Sequence, residues 1–251
     1  MDSRTLWRLL DQIAAARDEN ALMAALETAA HFLGFTQFAL GHHVDFGRQA
    51  ERAIRITNYR REWIEEVVGR SYFRVDPVHE ASVRCAGAFS WTQIPSLIKL
   101  TPVQLQIMSS AKSHGLLAGV TVPAHIPGEY RGTCSFGGSE QACMKRVLPF
   151  AQVLGTFAFE AARRMMKLRT GDGGDGGGVP RLTERQTDVL IELGRGKSDA
   201  EIALNLGIAK STAHEHVEAV RAAYGGAQRT YLIGRALFDG QLSYVDIMNS
   251  Y

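Results

Sequence analysis

Cysteine, charge of one sign and long apolar runs are what this sequence has least of, and each shortage removes a class of protein. The three cysteines, Cys85, Cys134 and Cys143, are odd in number and not spaced as metal pairs. That argues against a disulfide framework or a zinc site and for a reducing compartment. No run of about 18 apolar residues could span a membrane. The N-terminus carries Arg4, Arg8 and Asp11 where a secretory signal needs an unbroken apolar core, so a cytoplasmic protein without membrane contact is expected. Catalytic signatures are missing too: there is no Gly-x-Ser-x-Gly elbow and no Walker loop, and His214-Glu-His216 lacks the second histidine of a zinc-protease motif. His42-His43 with Asp45 could suggest a metal, but adjacent histidines on a strand point to opposite faces. Neither enzymatic activity, a metal nor a cofactor is expected. Net charge is only +2.

What is present is ordinary for a globular chain. With 45% apolar and 22% charged residues over 251 positions, there is enough material for two domains. Glycine marks the boundary: Thr170 to Gly178 holds six glycines in nine residues. No Gly-Lys-Ser/Thr follows it, so a flexible linker fits better than a phosphate cradle, with a reach of about 15 to 20 Å as a random coil. The expected division is a first domain over 1–168, a linker over 169–180 and a second domain over 181–251.

The stretch from Leu182 to Leu242 predicts four short helices, the middle two forming a helix-turn-helix. Ser198 and Glu201 make a capping box that starts a helix at Asp199. Ile202, Ala203 and Leu206 share its inner face, and Gly207 can supply the positive φ that ends it. In the next helix Ala213, Val217 and Val220 point inward. Lys210, Ser211, Thr212, His214, Glu215 and Glu218 are left for an outer face whose N-terminal end would enter a DNA major groove. Spacing alone also fits the closure of any small helical bundle.

The run Leu182-Thr-Glu-Arg-Gln-Thr-Asp-Val-Leu190, with Gly194-Arg-Gly-Lys-Ser198, Glu201-Ile-Ala203, Leu206-Gly-Ile208, Ser211-Thr212, His216-Val217 and Arg229-Thr230, resembles the DNA-binding domain of LuxR-type transcription regulators. The likeness covers about sixty residues without a gap. It implies DNA contact by Lys197, Lys210, Ser211, Thr212, His214, Glu215 and Arg221, and a homodimer on a palindromic operator. Gln186 stands where that family usually has Glu, and it still completes a capping box with Thr183. Ala209 stands where a capping Ser is common. Ser211 is the available substitute, which would shift the helix start by two residues. Residues 179–251 hold eight Lys or Arg against nine Asp or Glu, whereas 1–168 hold nineteen against fifteen. A DNA-binding half without excess positive charge should bind weakly as one copy, and two linked copies are the remedy.

Toward the N-terminus, Leu6, Leu9, Leu10, Ile13, Leu22, Leu26 and Ala30 predict two packed helices broken near Asp18-Glu-Asn20. Strands are expected over 35–46 and 52–59 around a turn at Gly47, over 87–91, and as a hairpin of 119–126 and 130–137 joined at Pro127-Gly128. Helices are expected over 61–70, 77–84 and 101–113, and a long one over 143–168 bent early by Pro149. The apolar face of that last helix is wide; a partner subunit and a simple core helix both account for it. Antiparallel strands flanked by helices, without regular βαβ alternation, predict an α+β fold: an N-terminal α-β-α sandwich with an antiparallel sheet, joined by the linker to an all-α four-helix domain. A phosphorylation-driven response regulator would instead open with a strand and alternate strand with helix.

Trp63 and Trp91 can be read as plain core, and Asp76-Pro77 as a helix cap with proline at the first helical position. Tyr59 and Trp63 lie four apart and would sit on neighbouring turns of one helix if it extends that far. As a set these residues resemble the autoinducer-binding domain of the same LuxR-type regulators, over roughly residues 3–168. The resemblance implies an N-acyl-homoserine lactone held inside the domain. Trp63 would donate to the ring carbonyl, Asp76 accept from the amide N–H and Tyr59 donate to the acyl carbonyl. Ser135 is a second candidate for that carbonyl, Trp91 would wall the lactone, and Gly115 would allow close backbone approach. Val67 departs from the family's usual Tyr, which opens space and leaves the tail, or even the acyl class, undecided. The competing expectations are a different small molecule, an aryl-homoserine lactone or a non-lactone, and a ligand-independent repressor with a first domain that only dimerises.

Overall fold

The computed structural model describes residues 2–44, 53–127, 129–139, 144–170 and 179–248. Two compact units emerge, one formed by residues 1–125 and 130–173, the other carrying 174–251. Each is described by itself.

Helix α1 (Ser3–Ala15) starts on Asp2, whose carboxylate accepts from Thr5 N at 2.9 Å. The break expected near Asp18 is the start of α2 (Glu19–Leu33), where Asp18 caps Ala21 N at 2.8 Å, and Gly34 ends that helix at φ 85°. Then follow β1 (Gln37–His42), β2 (Arg55–Thr57), α3 (Arg61–Gly69), a 3-10 turn (Tyr72–Arg74) and α4 (Pro77–Ser82). After these come β3 (Phe89–Ser90), a 3-10 turn (Trp91–Gln93), α5 (Ile94–Leu97), α6 (Pro102–Ser113), β4 (Ala118–Ala124), β5 (Gly132–Gly138) and α7 (Met144–Thr170).

The five strands form one antiparallel sheet in the order β2-β1-β5-β4-β3. Strand alternation gives it two distinct faces. Leu40, Cys134 and Val122 form one cross-strand row, and Phe38, Phe136 and Val120 the next. All six are buried, and Val122 lies against Gly155 of α7, so this face meets the long helices. Rows of smaller and polar residues, Thr57-Ala39-Ser135-Thr121 and Arg55-Gly41-Thr133, occupy the other face. There α4 lies against β4 and β5. The result is the α-β-α sandwich.

Several expected boundaries shift. The strand predicted over 52–59 narrows to β2, so Tyr59 follows the strand and precedes α3 rather than sharing a helix with Trp63. Trp91, expected inside a strand, opens a 3-10 turn because Ser90 caps it in a capping box with Gln93. Helix α7 runs on through Pro149. The turn at Gly47, Phe46, Asp45, Gly128, Cys143 and the glycine run 171–178 lie outside the described residues.

The second unit is all helical: α8 (Glu184–Gly194), α9 (Asp199–Leu206), α10 (Lys210–Ala223), α11 (Arg229–Phe238) and a short α12 (Tyr244–Met248). Both expected capping boxes form, Thr183 with Gln186 and Ser198 with Glu201, and Gly207 closes α9 at φ 65°. Ile202, Ala213, Val217, Val220 and Leu232 are fully buried in its core. Ser211 does not take over the cap of α10: the helix begins at Lys210 with Ala209 at the N-cap and no side-chain hydrogen bond.

Candidate functional site

Between the polar face of the sheet and helices α3, α4 and α6 lies a cavity of about 310 Å³. Among the residues on its wall are Tyr59, Trp63, Val67, Asp76, Trp91 and Ser135, with Ile107, Met108 and Leu116 supplying apolar surface. Six of the seven residues singled out in the sequence are therefore brought together. Gly115 is not on the wall; it turns the chain after α6 at φ 87°, with its missing Cβ nearest Gln37 and Arg60.

Trp63 is buried on α3, its ring between Tyr72 (centroids 6.3 Å apart) and His114 (5.4 Å). Its position is set by Glu66, one turn further on. The Glu66 carboxylate accepts from Ser110 Oγ at 2.8 Å and meets His114 Nε2 at 3.2 Å, tying α3 to α6. The Ser110 hydrogen bond, helped by His114 and opposed by burial, holds that carboxyl below its usual range. Trp63's indole N–H has no hydrogen-bond partner among the described residues.

Asp76 does two things. As N-cap of α4, ahead of Pro77, its Oδ1 accepts from Val78 N at 2.7 Å and His79 N at 3.4 Å. The structure has Asp76 as that cap, and the residue also lies on the cavity wall. Oδ2 takes no hydrogen bond among the described residues, with His79 Nε2 at 3.9 Å. Tyr59 is enclosed by protein, and the surface it leaves bare faces the cavity. Burial, reinforced by the Asp76 charge, pushes its hydroxyl far above the ordinary tyrosine value, so it remains a proton donor.

Trp91 continues the β3 register onto β4, opposite Gly119. Its ring lies flat over Gly119 and Gly137: a Cβ on either would come within 2.6 Å of the indole. These two glycines went unnoticed in the sequence, where they were only strand ends; glycines inside strands are a signal for something packed closely on the sheet. The Trp91 indole N–H donates to Thr121 Oγ1 at 2.9 Å, and Thr121 lies 2.9 Å from Ser135 Oγ. Trp91 is thus a wall of the cavity and not a free donor into it.

At one edge, His43 stacks on His79 (centroids 3.7 Å, 14°) and its Nε2 lies 3.2 Å from Thr133 Oγ1. His42 packs instead on Phe159 of α7, so the adjacent histidines do face opposite sides. Burial pushes the His43 imidazole far down, which keeps it neutral. No cluster of three metal-ligating side chains is found among the described residues.

In the second unit, Lys210, Ser211, His214 and Glu215 are exposed on α10, with Thr212 half-buried. His214 Nδ1 meets Asp199 Oδ2 at 2.8 Å, and Arg229 pairs with the other oxygen of the same carboxylate. Burial would raise the Asp199 carboxyl, but these two partners win and hold it low. Arg221 is committed within the unit, donating to Ala227 O at 2.9 Å and to Glu218 at 2.7 Å, and Lys197 lies 3.9 Å from Glu201. Lys210 is the predicted cation that the fold leaves at the exposed start of the helix.

Comparison with known proteins adds the following. The profile of the family described as "Autoinducer binding domain" matches residues 18–162. The transcriptional activator protein BjaR1 of Bradyrhizobium diazoefficiens is 25% identical over 215 residues, 86% of each chain. The transcriptional activator protein AhyR of Aeromonas hydrophila is 23% identical over 248 residues, 96% of this chain and 94% of that protein. In three dimensions the chain is similar to SdiA of Escherichia coli, with a TM-score of 0.64 at 20% identity, covering 96% of this chain and 98% of that one. SdiA has also been solved in complex with octanoyl-rac-glycerol.

Proposed function

This chain belongs to the autoinducer-binding domain family, and on that premise we propose that it is a quorum-sensing transcription regulator whose first domain takes up an N-acyl-homoserine lactone. The observation that carries the reading is the cavity wall, a mostly apolar surface that includes Trp63, Tyr59, Ser135 and Asp76. A lactone ring carbonyl, an amide N–H and an acyl carbonyl need two kinds of donor and one acceptor. Leaving any of them buried and unpaired costs about 1–3 kcal/mol. Trp63 supplies a donor for the ring carbonyl, Asp76 Oδ2 an acceptor for the amide, and Tyr59 with Ser135 donors for the acyl carbonyl. The tail would lie toward Val67 and Met108.

A ligand that binds only the folded domain stabilises it by about 2.7 kcal/mol at a hundredfold excess over its Kd. In this reading that stabilisation permits a homodimer, connected through flexible linkers to two copies of the helical domain. Each α10 enters a major groove of a palindromic site, with Lys210 on the backbone and Thr212 and His214 near base edges. The work is done in the cytoplasm and needs no cofactor. A second reading, an amphiphile without a lactone, is favoured by Val67, which leaves room where the resembling family usually has Tyr, and it parallels the glycerol lipid named in an SdiA complex.

Calorimetric titration of the full chain with lactones of graded acyl length tests both. The expected outcome is saturable binding with one preferred length range, narrowed by Val67→Tyr. Binding of octanoylglycerol without binding of any lactone would replace the first reading with the second.

A further inference from the structure

Thr121 stands behind the cavity wall, fully buried on β4. Its hydroxyl lies 2.9 Å from two groups, the Trp91 indole nitrogen and the Ser135 hydroxyl oxygen. The two contacts are not equivalent. An indole N–H can only donate, so Thr121 Oγ1 must accept from Trp91. Among the described residues the proton of Thr121 then has one acceptor within reach, Ser135 Oγ. Were Ser135 the donor instead, the Thr121 proton would be buried with no acceptor at all, the costlier arrangement. The order is therefore Trp91 N–H to Thr121 O–H to Ser135, and each bond polarises the next.

Ser135 lies on the cavity face of β5, in the row with Ala39 and Thr57, and has no other side-chain partner among the described residues. Its proton is left for the cavity. We propose that Thr121 is a positioning residue: by donating to one lone pair of Ser135 Oγ, it keeps the Ser135 proton from being spent on Thr121 and turns it to the cavity, where it selects for an acceptor oxygen such as a carbonyl at that point of the ligand. This specificity rule rests on the ligand reading above but makes a separate demand. It also gives the Trp91 indole a second role besides walling the site, since it sets the direction of the chain.

Full-length protein titrated with N-octanoyl-homoserine lactone tests the rule, together with the NMR signal of the Trp91 indole N–H. Thr121→Val is isosteric and removes both hydrogen bonds. It should weaken binding about tenfold, as should Ser135→Ala, each forfeiting the Ser135 hydrogen bond to the ligand. The double variant should lose no more than either single, and Thr121→Ser should bind like the original. Thr121→Ala serves the same purpose if valine is not tolerated. Losses that multiply in the double variant, or wild-type affinity in Thr121→Val, overturn the proposal. The indole proton should be protected from exchange in the original and in Thr121→Ser, and unprotected in Thr121→Val. If the original protein binds no lactone, the ligand reading falls, while Thr121-dependent indole protection still supports the hydrogen-bond order and its absence overturns it.

Discussion

Asp76 shows how one carboxylate can be claimed twice. Oδ1 is spent on the first turn of α4, and Oδ2, with no hydrogen bond among the described residues, is the acceptor proposed for a ligand N–H. Removing the whole group conflates the two uses, since loss of an N-cap alone costs about 1 kcal/mol. Asparagine separates them, because Asn caps as well as Asp while an amide NH2 in place of Oδ2 offers a donor to a donor. Asp76→Asn is therefore expected to melt within a degree or two of the original without ligand, yet to lose more than tenfold in lactone affinity. Asp76→Ala should lose both. Equal lactone affinity for Asp76→Asn in the same titration would leave Asp76 a cap and nothing more. The aspartate just ahead of Pro77 at a helix start was readable in the sequence as a cap. Its second role was readable only through resemblance, because a free oxygen is a statement about what lies across the cavity.

The same division between local and distant information runs through the elements. Capping boxes at Thr183, Ser198 and Thr101, the left-handed stop at Gly207 and the inward spacing of Ala213, Val217 and Val220 all act within a few residues, and these elements fall where the sequence puts them. Trp91 does not. Ser90 and Gln93 start its turn locally, but its ring rests on Gly119 and Gly137, 28 and 46 residues further on, where any Cβ would meet the indole. Thr121 was invisible for the same reason. Between α9, α10 and α11 the joint is Asp199, which holds His214 and Arg229 at once. Its carboxyl lies below its unfolded value of 3.8, so the stability it contributes is fully present above that value and is lost as pH falls through the folded one. Residues 179–251, with a hydrophobic core of their own, should thus lose melting temperature progressively as pH falls below 3.8. Asp199→Asn should melt lower at pH 7 and show a flatter decline toward pH 3. A variant whose melting curve parallels the original over that range would remove Asp199 from the joint.

For the molecule as a whole, charge is the argument for the proposed pairing of two copies. The helical unit carries eight basic against nine acidic side chains over 179–251, and Arg221 and Arg229 are already paired inside it. Few phosphates can be neutralised by one copy, so its affinity for any DNA is expected to be low and to fall away with salt. Pairing two copies changes the arithmetic: once one is bound, the other meets its half-site at an effective concentration set by the linkers, a gain of about 10² to 10⁴ without a new contact. On this account the first domain contributes only proximity, switched on by its ligand. Replacing residues 1–168 with a short parallel coiled coil, while keeping 169–251, should then give lactone-independent binding to a palindromic site at least a hundredfold tighter than monomeric 179–251, measured by fluorescence anisotropy at fixed salt. If the fusion bound no better than the monomer, the first domain would have to supply DNA contacts or a fixed orientation of its own, and proximity would not be its contribution.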